Sequence, residues 1–247
     1  MENSEKNIEQ LFDLPVYDDS QVAQSLFIRS LQDELIFHYE NNLMYHQFCE
    51  RKGFNPHEKL MGVECIPPVS VSVFKELGPN LSSVSKEEIK LRLQSSATSG
   101  TPSTIAVDKT TSRRQAKAMV KVVQEFIGKD RKPFLIMDID PKSEFRSLLG
   151  ARFAAIAGYL NFASKAGFFL KAKDGISYFD IDAMKSFLAE LPSEKPVVVF
   201  GFTYILYSQV LKAIQASCGQ IVLPKGSKVI HIGGWKKLES EKVEKSE

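Results

Sequence analysis

An α/β fold, a largely parallel sheet flanked by helices behind an N-terminal helical layer, follows from three features of this 247-residue sequence. Short runs of apolar and β-branched residues have the length of buried strands: FLIMDI at Phe134–Ile139, VVVF at Val197–Phe200 and SKVIHI at Ser227–Ile232. Segments with apolar residues at helical spacing lie between them. Strands alternating with helices is the pattern of parallel strands joined by crossovers, covered on both faces.

Taken in order, Asp18, Asp19 and Ser20 can cap a helix in which Val22, Leu26, Leu31, Leu35, Tyr39 and Leu43 recur, with Gly53 as its stop. A connector with Pro56, Pro67 and Pro68 follows, and Val69–Phe74 (VSVSVF) alternates like a half-buried strand. Ser82–Leu93 reads as a short capped helix or a turn leading into a strand. After a Ser/Thr loop at Ser95–Ser103, Thr104–Val107 can form a strand and Lys109–Phe126 a helix. The run Phe134–Ile139 ends beside Asp138 and Asp140, and Ser147–Ala166 is helical in composition. Phe179–Leu191 reads as a helix closed by Pro192. Beyond Val197–Phe200 come a turn at Gly201–Thr203, a helix at Ile205–Ala216 and the last strand, ending at Gly233-Gly234. The resulting division is a helical segment at 1–65 packed on the core, an α/β core at 66–238 and a charged tail at 239–247.

Composition excludes several classes. Hydrophobic residues make up 43% and charged residues 25%, which is ordinary for a globular chain. A net charge of +2 with scattered basic residues argues against nucleic acid. Cys49, Cys65 and Cys218 are odd in number and far apart, so no disulfide framework is expected. The N-terminus is polar with both charge signs, unlike a secretory or transit peptide. The longest apolar run, around Val197–Tyr207, is too short to span a bilayer. The expectation is a cytoplasmic protein.

The chemistry-bearing candidates each have a plain alternative. Six hydroxyls at Ser95, Ser96, Thr98, Ser99, Thr101 and Ser103, with Gly100 among them, can wrap phosphate oxygens. A solvated linker has the same composition, and no Gly-Lys-Ser/Thr follows as in a Walker loop. His46 and Cys49, with His57 and Cys65 beyond, are spaced too loosely for zinc, so no metal site is expected. Asp138 and Asp140 could bind Mg²⁺ or act as acid and base, yet aspartates before Pro141 also make ordinary turns, which is the reading preferred. Arg113, Arg114, Lys117 and Lys121 could steer a nucleotide or form a solvated face. Trp235 beside two glycines is either core packing or a ligand contact.

Four segments carry a resemblance. Ser95–Ser103 (SSATSGTPS) resembles the Ser/Thr/Gly-rich phosphate loop of the adenylate-forming, acyl-CoA synthetase-like superfamily. Ile66-Pro67-Pro68-Val69 running to Val73-Phe74-Lys75, Phe200-Gly201-Phe202-Thr203, and His231-Ile232-Gly233-Gly234-Trp235-Lys236-Lys237 look like successive segments of the acyl-protein synthetase (LuxE) family of bacterial bioluminescence operons. They stand in the family's order and cover most of the chain from Ile66 onward.

The resemblance implies the N-terminal-domain core of an adenylate-forming enzyme. It implies a ligase that uses ATP with Mg²⁺ to turn a fatty or other carboxylic acid into an acyl-adenylate. The acyl group then passes to an enzyme cysteine, and onward to an acyl-CoA reductase-like or carrier protein. Ser96, Thr98, Ser99, Gly100 and Thr101 would contact the triphosphate, and Gly233, Gly234 and Trp235 the adenylate. Phe202 and Thr203 would stand near the acyl pocket. The catalytic residues stay unassigned. Where the superfamily loop continues with a second Gly and a Lys, Ser103-Thr104-Ile105 stands here. The family's Tyr-Gly-x-Thr-Glu-like motif, acidic ribose contact and lysine-bearing C-terminal domain are not found before Glu247. The tail reads as a helix cut short, and the chain as truncated. Cys218 is not the obvious counterpart of the family's nucleophile. Two rivals are a non-catalytic nucleotide- or partner-binding module, and a relative that makes acyl-CoA or loads a carrier protein.

Overall fold

The computed structural model describes residues 2–78, 81–94, 103–145, 152–173, 176–217, 219–235 and 242. The chain divides into two compact units, Met1–Phe126 and Ile127–Glu247, and each is taken by itself.

The first unit opens with three helices, α1 (Glu2–Asp13), α2 (Gln21–Asn41) and α3 (Leu43–Lys52). Ser20 caps α2 by accepting the Ala23 N–H. The single helix expected up to Gly53 is two helices. Asn42 takes an extended backbone between them, and its side chain accepts the Tyr45 N–H, so it ends one helix and caps the next. Gly53 stops α3 in the left-handed region, as read.

The strand expected at Val69–Phe74 is instead a helix, α4 (Val71–Glu76). Ser70 caps it through the Ser72 N–H, and a short alternation without a strand partner does not outweigh a capped turn. β1 (Ile89–Gln94) and β2 (Thr104–Asp108) form an antiparallel pair. α5 (Lys109–Ile127) follows directly, capped by Asp108 through the Thr111 N–H at 2.8 Å. Its cations tie helices together: Arg114 pairs with Glu34 at 2.6 Å and Lys117 with Glu9 at 2.8 Å, while Lys121 donates to the carbonyls of Phe12 and Leu14.

The second unit is built on a five-stranded sheet in the order β5-β4-β3-β6-β7. Its strands are β3 (Lys132–Ile139), β4 (Ala163–Lys173), β5 (Ile176–Phe179), β6 (Val198–Phe202) and β7 (Lys228–Ile232). The β3–β4, β3–β6 and β6–β7 pairs are parallel and β4–β5 is antiparallel. The α/β expectation with a largely parallel sheet therefore holds. Phe134, Leu135, Ile136 and Phe200 have no exposed surface, as central strands covered on both faces require.

Helix α6 (Arg152–Leu160) joins β3 to β4, and α7 (Ile181–Ala189), capped by Asp180, precedes β6. After β6 come α8 (Thr203–Ile205), a π-helical stretch at Leu206–Leu211 and α9 (Lys212–Ser217). Three expectations need correction, the first being the turn read at Gly201–Thr203, where Gly201 and Phe202 pair with His231 and Ile232 as the end of β6 and Thr203 opens α8. The helix read over Ser147–Ala166 ends at Leu160 in the described residues, and Ala163 begins β4. The helix read from Phe179 begins at Ile181, because Phe179 pairs with Leu170 in the sheet.

Candidate functional site

The path of the chain through the second unit marks one place for chemistry. From β3 the chain crosses by α6 to β4 on one side, and from β6 it crosses by α8 and α9 to β7 on the other. The connections leaving the adjacent carboxyl ends of β3 and β6 thus diverge, which opens a crevice where ligands of such sheets bind. β3 delivers Asp138 to this edge and β6 delivers Phe202, with Thr203 and Tyr204 just beyond.

Thr203 joins the ends of β6 and β7. Its Oγ1 lies 3.0 Å from His231 Nδ1, 3.0 Å from the Gly233 carbonyl oxygen and 3.3 Å from that of Ile232. Gly233 has φ +78°, a conformation that favours glycine, and this turns the chain sharply out of β7. The turn brings Trp235 edge-on to Tyr207, with ring centroids 5.1 Å apart. The tryptophan residue that the sequence left between core packing and ligand contact is thus packed on an aromatic ring beside a cavity.

That cavity has a volume of about 1040 Å³, at the upper end of the roughly 300–1,000 Å³ of small-molecule sites. Its wall is mostly aliphatic, with Met137 and Val199 from the sheet, Met184 from α7, and Leu206 and Val210 from the π-helical stretch. Thr203, His231, Gly233, Gly234 and Trp235 also line it. Gly201 keeps this face close-packed, since a Cβ there would stand 2.9 Å from Leu206 and 3.1 Å from Met137.

A second group of residues extends from the same edge. Asp138 is fully buried, its Oδ1 accepts the Ile139 N–H, and its Oδ2 is 3.2 Å from Arg152 Nε at the start of α6. Burial pushes the Asp138 carboxyl up from its ordinary range, and the Arg152 charge opposes this. Arg152 Nη1 donates to the Tyr204 hydroxyl at 2.7 Å, and its guanidinium is 5.9 Å from the Phe202 ring centre. Asp138 is therefore an ion-paired residue of the site's edge, not the turn residue the sequence suggested. Asp140 makes that turn, accepting the Lys142 N–H at 2.8 Å.

Of the residues singled out in the sequence, Thr203, Gly233, Gly234 and Trp235 come together on the cavity, and Phe202 lies beside them against Arg152. Ser96, Thr98, Ser99, Gly100 and Thr101 lie outside the described residues, as does Cys218. His231 was quoted in the sequence without a role. Its alternation with Val229 along β7 was the signal available, since both side chains line the cavity. His46 stacks on Tyr39 at 4.1 Å, and among the described residues no three His, Cys, Asp or Glu side chains are grouped to hold a metal. Among the same residues, no helix is long and apolar enough to cross a membrane.

Compared with protein-family models, residues 7–247 match the family described as "Acyl-protein synthetase, LuxE". No curated protein matches the chain.

Proposed function

The chain belongs to the acyl-protein synthetase (LuxE) family, a family of ligases, and from that premise we propose that it activates a long-chain fatty acid with ATP and passes on the acyl group. In the first step a carboxylate oxygen attacks the α-phosphate of ATP, giving acyl-adenylate and pyrophosphate. In the second a thiol takes the acyl group and AMP leaves. The acyl group is then handed to a reductase-like or carrier protein.

The observation that carries the choice of substrate is the cavity of about 1040 Å³, with a mostly aliphatic wall that Gln215, Gln220 and Lys242 also line, and a polar group of residues where Thr203 meets His231 and Gly233. An alkyl chain is stabilised against such a wall by roughly 0.8 kcal/mol per buried methylene, whereas a small polar acid gains nothing there. The carboxyl end belongs at the polar group, because a buried polar head without partners is costly. In this reading the backbone of Gly233 and Gly234 and the Trp235 ring flank the adenylate. Phe202 and Thr203 fix the turn beside the acyl chain.

The triphosphate falls to Ser96, Thr98, Ser99, Gly100 and Thr101, whose hydroxyls and N–H groups hold oxygens without fixed charge. Mg²⁺ bound with the nucleotide would supply positive charge to screen what develops on pyrophosphate, beside the phosphate oxygens that these loop residues would hold. Thr98→Ala and Ser99→Ala are expected to weaken ATP binding by about 1 kcal/mol each. Unchanged affinity in the double variant, measured by calorimetry, would remove the loop from the phosphate site.

The activity is tested by carboxylate-dependent exchange of labelled pyrophosphate into ATP. Exchange that rises with acyl chain length supports the proposal. No exchange with any acid, together with intact ATP binding, would leave a nucleotide-binding module. Acyl-CoA formed in place of acyl-protein would move the chain to the acyl-CoA-forming or carrier-loading relatives.

A further inference from the structure

The three contacts of Thr203 decide where the proton of His231 sits. A hydroxyl has one proton to give, and the carbonyl oxygens of Ile232 and Gly233 can only accept. If that proton went to His231 Nδ1, the hydroxyl oxygen would face two carbonyl oxygens with lone pairs alone. Given instead to a carbonyl, it leaves Oγ1 to accept from Nδ1–H across 3.0 Å. The neutral imidazole is thereby held with its proton on Nδ1 and its lone pair on Nε2.

The ring so fixed lines the cavity beside Gly233, Gly234 and Trp235. Among the described residues of that wall the ionisable side chains are His231, Tyr207 and Lys242. Imidazole is the type that takes up a proton near neutrality, while phenol and ammonium groups hold theirs. Acyl transfer to a thiol releases one proton, and a base is needed beside the reacting carbon to receive it.

We propose that His231 is the proton acceptor of the acyl-transfer step, with Thr203 as its positioning residue; this rests on the reading of the chain as an acyl-activating ligase. The thiol sulfur attacks the carbonyl carbon of the acyl-adenylate, and its proton passes to His231 Nε2. The new C–S bond replaces the C–O bond to phosphate, whose electron pair leaves on AMP. The imidazolium then returns its proton to water.

The test supplies a chemically made long-chain acyl-adenylate to the full chain at pH 7. Thioester formation is followed on an alkyl thiol, a short cysteine-containing peptide, and on an aryl thiol already ionised at that pH. An alkyl thiol with a pKa near 8.5 is about 3% thiolate at pH 7, so ionising it is worth about 30-fold. His231→Gln is expected to lose about 30-fold with the alkyl thiol and to stay within about twofold with the aryl thiol. Equal losses with both thiols, or no loss with either, overturn the proposal. A native chain that acylates neither thiol overturns it together with the ligase reading. Acylation from the supplied adenylate without ATP–pyrophosphate exchange would overturn the ligase reading alone. Nitrogen-15 NMR of the native chain tests the tautomer: the proton is expected on Nδ1 and released from it in Thr203→Val, whereas a native Nε2–H form overturns the assignment.

Discussion

Asp138 stands next to the last residue of β3 with its carboxylate wholly buried, and Arg152 Nε is 3.2 Å away. Desolvating two charges takes back much of what their attraction supplies, so such a pair is weak evidence for stability. Breaking it is another matter, because the remaining charge is buried without its partner. Arg152→Met is expected to cost about 3 kcal/mol in urea unfolding at neutral pH. Burial already raises the Asp138 carboxyl, so its folded state takes up a proton more readily than the unfolded chain. Stability from this group is full below the ordinary aspartate range and is lost as pH rises through the raised value. Without Arg152 the raised value climbs further, so the deficit of Arg152→Met against the native chain should grow from acid to neutral pH; a deficit that is the same at both would sink this account. Gly201→Ala tests the opposite face, where a Cβ 2.9 Å from Leu206 should cost roughly 1–3 kcal/mol by the same measurement. Neither effect was legible in the sequence. An aspartate this close to Pro141 reads as part of a turn, and the arginine that captures it opens the following helix, a placement that no periodicity reports.

At the scale of elements, Asp108 is the residue on which β2 becomes α5. Its Oδ1 accepts the Thr111 N–H at 2.8 Å, supplying one of the helix's otherwise unpaired donors. Burial works to raise this carboxyl, but the hydrogen bonds from Thr111 and the neighbouring backbone hold it below its usual range. The stability it contributes is therefore present above the unfolded aspartate's pKa and lost as pH falls through the lower folded value. Asp108→Ala should cost about 1 kcal/mol near pH 7 and progressively less in acid, as thermal unfolding across that range would show. The elements legible in the sequence were those with an unambiguous period or cap, such as β3, β6, β7 and α5. β4 was not, because Ala163–Lys173 mixes small, aromatic and basic residues and follows α6 without a glycine or proline to break the helical pattern. Its strand form rests on pairing with β3, a long-range contact. The π-helical stretch at Leu206–Leu211 was equally hidden, since apolar spacing does not distinguish it from an α-turn, yet Leu206, Tyr207, Val210 and Leu211 all face the cavity from it.

For the whole molecule, the fold class could be read because strand and helix alternate, and the site's edge because two sequence segments end at adjacent strands. What could not be read is the cavity itself, which exists only when α7, the π-helical stretch and one face of the sheet close around it. The chain carries its own reporter of that space. Trp235 is the one tryptophan among 247 residues, so all indole emission comes from a single ring on the cavity wall, packed against Tyr207. An alkyl chain entering the cavity replaces water beside the indole with methylenes, which lowers the local polarity and should move the emission to shorter wavelength. A long-chain fatty acid is therefore expected to shift the Trp235 spectrum in a saturable way, and a short acid at the same concentration to leave it unchanged. Met184→Trp is the control on location. It adds a second indole to the buried wall contributed by α7 and reduces the free volume, so it should weaken the long-chain acid by tenfold or more, on the order of 1.4 kcal/mol. If the long acid shifts the native spectrum but binds Met184→Trp equally well, the acyl chain lies outside this cavity. In that case the aliphatic wall is core packing, and the substrate would have to be sought along the Asp138–Arg152 edge of the same sheet.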